Sequence, residues 1–355
     1  MDNRIKIGIA AVILIAVIVT SIPAIGISFG GPAISGGLQS KELRIGYFPN
    51  INHAQAVIGL GNGDFQKALG NDIKIKNLVF NAGPSAIEAL FANQVDVTYV
   101  GPNPAINGYV QSHGEALRII SGAASGGAVF VVRNDSGINS PEDFAGKKFA
   151  SPQLGNTQDV ALRKYLLENG HKTKDKGGDV EVLPAKNADI VTLMIKKEID
   201  GAWVPEPWGA KLIKDANARI FLDERQLWPN GDFVTSNIIV RTDYLKNNPE
   251  TIKRLLQAHV DETNWINSHQ DDAVVLFNQQ LDKLTGKTIP EDEFKAGLSR
   301  MKLTWDPVEQ SLFQSANDAF EIGFFEQNPD LSNIYDLSIL NEVLAQKGLS
   351  VIEYH

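Results

Sequence analysis

From Leu43 to Arg241 the chain alternates short β-branched and aromatic runs with stretches of helical period, and that alternation admits few architectures. The runs are LRIGYF, NLVF, VDVTYV, LRIISG, AVFVVR, KKFAS, VEVLP, GAWV, ARIFLD and NIIVR. Between them PSAIEALFANQ, TQDVALRKYLLENG and NADIVTLMIKKE set apolar residues three and four apart. Strands this short, separated by amphipathic helices, form sheets covered by helices, the α/β class. After about residue 245 the pattern is almost wholly helical, led by PETIKRLLQAHVDETNWINSH with Pro249 at a first turn. The sheets are therefore complete before the C-terminal third, which packs over them.

The α/β portion carries an internal echo. Ile87, Ala89, Leu90, Val95, Asp96 and Tyr99 align without gaps on Val191, Leu193, Met194, Ile199, Asp200 and Trp203. Each half reads helix, Asp, strand and proline-bearing loop, the loops being GPNPA from Gly101 and PEPWGA from Pro205. In open α/β sheets ligands bind beyond the carboxyl ends of strands, where both loops fall. Two unrelated helix–strand units share as much by pattern alone, so duplication is an expectation for the structure to decide.

Arg4 and Lys6 precede a stretch from Ile7 to Ser40 without a charge. Its densest part, IGIAAVILIAVIV, has the length of a signal-peptide core, and extension through Pro23 to Phe29 reaches spanning length. Residues 1–30 therefore read as a signal peptide or an N-terminal membrane anchor, with the anchor favoured, and GGPAISGGLQS opens a tether over 31–42. Basic residues ahead of the apolar run place everything after Gly30 outside the cytoplasm. The net charge of -9 argues against nucleic acid as partner, and the absence of cysteine excludes disulfides, thiolate metal sites and a Cys nucleophile.

Three helix starts are rich in hydrogen-bond donors. ASPQLGNTQD, from Ala150, ends a strand and leads with Asn156 and Thr157 into a helix whose first turn holds Asp159. Asn156 or Thr157 can cap that helix, and Asp159 complements the positive end of its dipole. The same amides and hydroxyl can instead receive a ligand oxyanion. NAGPSAIEAL sets Gly83 and Ser85 at a second start, and GYFPNINHAQAV sets Asn50, Asn52 and His53 at a third. SGAASGG, Ser121 to Gly127, offers small residues that let backbone approach either backbone or ligand.

LRIGYFPN, AGPSAIEALFANQVDVTYVG, DFAGKKFASPQLGNTQDVALR and DGAWVPEPW, in this order and spacing, resemble the substrate-binding proteins of ABC importers for sulfonates, nitrate and taurine. The resemblance spans roughly Leu43 to Trp208. It implies a type II periplasmic-binding-protein fold, two α/β lobes joined by a two-segment hinge and preceded here by the N-terminal hydrophobic helix. Lobe 1 would combine 43–130 with 235–355, and lobe 2 would be 131–234, with Asp232 and Phe233 near the hinge. It further implies an extracytoplasmic receptor that closes on a small anionic solute, an alkanesulfonate first, and hands it to an ABC permease and its ATPase. The binding positions it carries over are Asn50, His53, Gly83, Ser85 and Asn103 on one side, and Gly155, Asn156, Thr157, Gln158, Trp203, Glu206 and Trp208 on the other.

Glu206 would repel a bare oxyanion, so it either pairs with the amine of a zwitterion or anchors its loop. Trp203 either walls the cleft or fills the core of its lobe. No cleft Arg or Lys stands out, so neutral donors and helix amides must carry the anion's charge. His53 lacks the His or acidic neighbours of a metal site. No cofactor is expected. The competing reading is an enzyme on the same fold, disfavoured because the similar enzymes rely on cysteine and no nucleophile–base spacing is present.

Overall fold

The computed structural model describes residues 41–354, so the expected signal peptide or anchor and nearly all of the expected tether lie outside the described residues. Among the described residues no helix is long and apolar enough to cross a membrane. The chain begins with β1 (Glu42–Tyr47), α1 (Ala54–Gly61), α2 (Asp64–Leu69), β2 (Lys74–Val79), α3 (Gly83–Phe91), β3 (Val97–Val100), α4 (Pro102–Gln111) and β4 (Leu117–Gly126). A middle stretch follows with β5 (Ala128–Arg133), β6 (Lys148–Ser151), α5 (Thr157–Glu168), β7 (Glu181–Pro184), α6 (Asn187–Ile195), β8 (Gly201–Pro205), α7 (Trp208–Asp215) and β9 (Ala218–Asp223). The chain returns through β10 (Val234–Arg241) to α8 (Thr242–Asn247), α9 (Pro249–Ser268), α10 (Gln270–Thr285), α11 (Glu291–Leu298), β11 (Met301–Leu303), α12 (Glu309–Glu321) and α13 (Ser338–Gln346).

Two mixed sheets result, in the orders β11-β4-β10-β3-β1-β2 and β7-β6-β8-β5-β9. In the first, β1 runs parallel to β2 and β3, and β10 lies antiparallel between β3 and β4. In the second, β6 runs parallel to β7 and β8, and β5 lies antiparallel between β8 and β9. The orders β2-β1-β3-β10-β4 and β7-β6-β8-β5-β9 correspond strand for strand. The same chain spacing separates Gly83 from Asn187 at the starts of α3 and α6 and Val97 from Gly201 at the starts of β3 and β8. The internal echo thus corresponds to two architecturally equivalent halves.

The two lobes exchange chain at two points. The outward passage falls at Gly126 and Gly127, ahead of the residue-130 boundary suggested by the sequence, because both glycines take left-handed φ (79° and 76°) and turn the chain there. A side chain would not fit: a Cβ on Gly126 would stand 2.6 Å from the Arg300 carbonyl oxygen. The small residues of SGAASGG serve backbone contact, since a Cβ at Gly122 would meet the Asp306 carbonyl oxygen at 2.1 Å. At the return passage Phe233 is buried and stacks on Trp228, while Asp232 pairs with Lys302 at 2.5 Å.

The second lobe shows how a strand buried on both faces builds two cores. Along β5, Ala128, Phe130 and Val132 face one cluster with Phe144, Phe149, Leu162 and Trp203. Val129 and Val131 face the other, with Ile190, Met194, Val204 and Leu212. That two-sided burial explains why AVFVVR reads as a continuous apolar run. Trp203 stacks on Phe130 with ring centroids 5.3 Å apart, and its Nε1 donates to Glu224 Oε2 at 2.6 Å.

Burial pushes the Glu224 carboxyl up to about 7 from the 4.5 of a free glutamate. Between those pH values the native state holds a proton that the unfolded chain has lost, so this group's contribution to stability falls as pH rises. Glu262, also pushed up to about 7 by burial, acts in the same direction. Burial holds His53 at about 3 and His259 at about 4, so their contributions run oppositely and fall as pH drops below 6.5. Comparing Glu224→Gln with the wild type isolates one carboxyl. The variant should gain relative stability by about 1–3 kcal/mol between pH 5 and pH 8 in urea melts.

Candidate functional site

The carboxyl ends of β1 and β3 in the first lobe face those of β6 and β8 in the second, and the helix starts that follow them meet across a closed cleft. A cavity of about 20 Å³ lies there, room for about one water-sized group. From the first lobe it is lined by the loop after β1 with Asn50, Asn52 and His53, by Asn81 and Ala82 before α3, and by Gly101 before α4. From the second come Asn156, Thr157 and Gln158 at the start of α5, Asn187 at the start of α6, and Pro205; Thr235 adds the hinge strand.

At the start of α5 no side chain caps the helix. Asn156 occupies the N-cap position, yet its side chain accepts nothing from the helix; its Nδ2 donates to Gln158 Oε1 at 3.1 Å. Thr157 Oγ1 is buried and has no partner. The Asp159 and Val160 amides bond the Asn156 carbonyl at 3.0 and 3.1 Å, and no side chain caps the Thr157 and Gln158 amides ahead of them. Asp159 anchors the turn from behind: it accepts from Ser151 Oγ at 2.6 Å, from the Gly155 amide at 3.0 Å and from Arg163 Nε at 3.1 Å. Gly155 takes φ 74°, which lets the strand-to-helix turn present the three residues that follow.

Two further buried atoms at the same cavity lack partners, Asn52 Oδ1 and Asn187 Oδ1. Turning either amide over offers an N–H in place of the oxygen. His53 completes the lining as a neutral ring. The Phe48 amide donates to its Nδ1 at 3.3 Å, so Nε2 carries the hydrogen and points toward Ser236 Oγ at 3.5 Å. With its hydrogen on Nε2, His53 cannot act as a base toward Ser236, and burial keeps the ring uncharged. No charged side chain lines the cavity.

Asn50, His53, Asn156, Thr157 and Gln158, five of the positions carried over by the resemblance, line one cavity. Gly83 and Ser85 lie at its margin. A Cβ on Gly83 would stand 3.2 Å from Asn156 Oδ1, and Ser85 Oγ donates to Gln153 Oε1 at 3.4 Å across the cleft. Trp208 lies at the rim, its Nε1 donating to Asn50 Oδ1 at 3.0 Å. Three expected positions are turned elsewhere. Asn103 donates from the first turn of α4 to the Ser315 carbonyl at 3.1 Å. Trp203 belongs to the lobe core, because its side of β8 faces Phe130.

Glu206 takes the loop-anchoring alternative: it is fully buried, its Oε1 meets Arg300 Nη1 at 2.5 Å, and its Oε2 accepts the Ala210 amide at 2.9 Å. Burial pushes this carboxyl up while Arg300 and the amide pull it back. The pair joins the second lobe to the segment before β11, so it links the lobes outside the cavity. Sequence reasoning passed over Asn187 and Arg300. The internal echo offered a signal for the first, since it sets Asn187 opposite Gly83; nothing local marks the second.

Comparison with known proteins bears on the fold and the family. A Bacillus subtilis (strain 168) chain named for binding aliphatic sulfonates is 22% identical over 313 residues, 87% of this chain and 90% of that one. Among solved structures, the alkanesulfonate-binding protein SsuA from Xanthomonas axonopodis pv. citri, bound to MOPS, superposes with a TM-score of 0.70 at 16% identity, over 84% of this chain and 99% of that one. The periplasmic nitrate-binding protein NrtA from Synechocystis PCC 6803 gives a TM-score of 0.68 at 15% identity, over 86% and 89%. These likenesses identify the fold as the two-lobed type II periplasmic-binding-protein fold. The NMT1-like family matches residues 36–276, more than half of the sequence, and the chain belongs to that family.

Proposed function

We propose that the protein is the extracytoplasmic solute-binding component of an ABC importer, taking a small oxyanion-bearing solute, an organosulfonate first, between its lobes for delivery to a permease and its ATPase. The observation that carries this reading is the convergence of three unpartnered buried polar atoms, on Asn52, Thr157 and Asn187, at one uncharged cavity between two lobes. Buried polar groups are seldom left unsatisfied, and a site built to hydrogen-bond a ligand is the ordinary reason for several at once. A trigonal or tetrahedral oxyanion fits neutral donors arriving from two helix starts and a neutral imidazole. The names of the relatives, sulfonate- and nitrate-binding proteins, agree with that chemistry. Their periplasmic setting agrees with export of everything beyond the N-terminal apolar stretch.

At about 20 Å³ the cavity is too small for a whole sulfonate group, so the lobes must part for loading and settle around the head. Calorimetric titration with methanesulfonate, nitrate and bicarbonate tests the reading. Saturable binding should appear for the sulfonate, and Thr157→Val should weaken it about 10- to 100-fold, the range for one hydrogen bond to a charged group. Absence of binding by all three would sink the proposal.

A further inference from the structure

The polar cavity has an annex. Asn50, Asn81 and Asn187 line both it and a second cavity of about 380 Å³, which Trp208, hydrogen-bonded to Asn50, also lines. Pro207, Trp208, Val191, Leu281 and Ile289 give this annex apolar walls drawn from both lobes. Its size lies in the range that encloses a small organic molecule, which the polar cavity does not. A ligand whose head sits among the asparagines has this space beside it for its body.

The lining of the annex also carries charge opposite to that of the protein. Lys186, Lys211 and Lys287 line it in a chain of net charge -9. Lys211 is tied to Asp215 at 2.5 Å, whereas Lys186 and Lys287 form no ion pair among the described residues. The carboxylate in the lining, Glu293, is buried and held 3.3 Å from Lys214. Two exposed ammonium groups thus stand in the lining of a partly apolar annex that shares three asparagines with the polar cavity.

We infer that the annex selects an elongated organic solute with an anionic group at each end: one anionic head among the asparagines, an aliphatic or aromatic body against Trp208, Leu281 and Ile289, and a second carboxylate or sulfonate at Lys186 and Lys287. This rests on the reading of the polar cavity as the oxyanion site. The two ends differ physically. The head is held by neutral donors and responds little to salt, while the far end is held by exposed charges that salt screens.

Calorimetry on the full chain in mild detergent, with methanesulfonate, benzenesulfonate and 4-sulfobenzoate, separates the parts. Benzenesulfonate should bind more tightly than methanesulfonate. The doubly charged 4-sulfobenzoate should bind about 3- to 10-fold more tightly again at low salt, an advantage lost at 0.5 M NaCl. The Lys186→Gln, Lys287→Gln double variant should reduce 4-sulfobenzoate to the benzenesulfonate level and leave methanesulfonate unchanged. Equal affinity of the wild type for the two aromatic ligands, or indifference of 4-sulfobenzoate to the double variant, overturns the inference and leaves the oxyanion receptor standing. Failure of all three ligands overturns both.

Discussion

Gly101→Leu is expected to lower the affinity of the cleft for its ligand about 100-fold while leaving the melting temperature of the ligand-free chain close to that of the wild type. Gly101 caps α4 with φ -68° and ψ 162°, a conformation open to any residue, so the substitution strains no backbone. What it obstructs is the approach of the lobes. A Cβ at this position would stand 2.2 Å from Thr157 Oγ1 in the opposite lobe, and the remaining leucine carbons would need space that the closed cleft does not have. Overpacking of this kind costs about 1–3 kcal/mol, and when only the closed form binds, that cost appears as affinity lost. Small-angle scattering supplies the second readout: ligand should contract the wild type and leave the variant unchanged. A variant that binds and contracts normally would show that the Gly101–Thr157 contact plays no part in closure.

Trp203→Ala should produce the opposite signature, a stability loss of about 3–5 kcal/mol with little specific effect on the cleft. The indole lies flat against Phe130, edge-on to Tyr165, and within the cluster that also buries Phe144 and Phe149. Its removal leaves a large hole and takes away the donor to Glu224, a buried carboxyl. Urea denaturation with the ligand absent measures the first effect, and titration well below the new midpoint measures the second. A variant of unchanged stability with weakened binding would return Trp203 to the cleft wall.

These contrasting expectations show what sequence could and could not supply. The α/β class followed from runs such as AVFVVR, buried on both faces of its sheet, and from the helical period between them. The equivalence of the two halves was signalled by six aligned positions that run from α3 through the connection into β3 and from α6 through the connection into β8. The start of α5 was legible because a strand, a glycine turn and three polar residues adjoin in the chain. Asn187 was not, because NADIVTLMIKKE reads as scaffold until the fold brings its first residue opposite Asn52 at the same cavity. Trp203 and Glu206 sit in one motif, GAWVPEPW, yet one turns into the lobe core and the other toward Arg300, far along the chain. Such choices depend on which face of β8 meets which neighbour, and that is settled by tertiary packing.

The neutral lining of the polar cavity bears on how a receptor of this design lets go. With His53 held at about 3 and every other lining group without a charge of its own, acidification across the physiological range removes no donor and adds no cation. On the proposed reading, a shift of pH in that range would therefore not loosen the head. On the same reading the grip would be dismantled by geometry, with Thr157 and Asn187 drawn away from Asn52 as the second lobe moves, so discharge would become mechanical work done by whatever machine pries the halves apart.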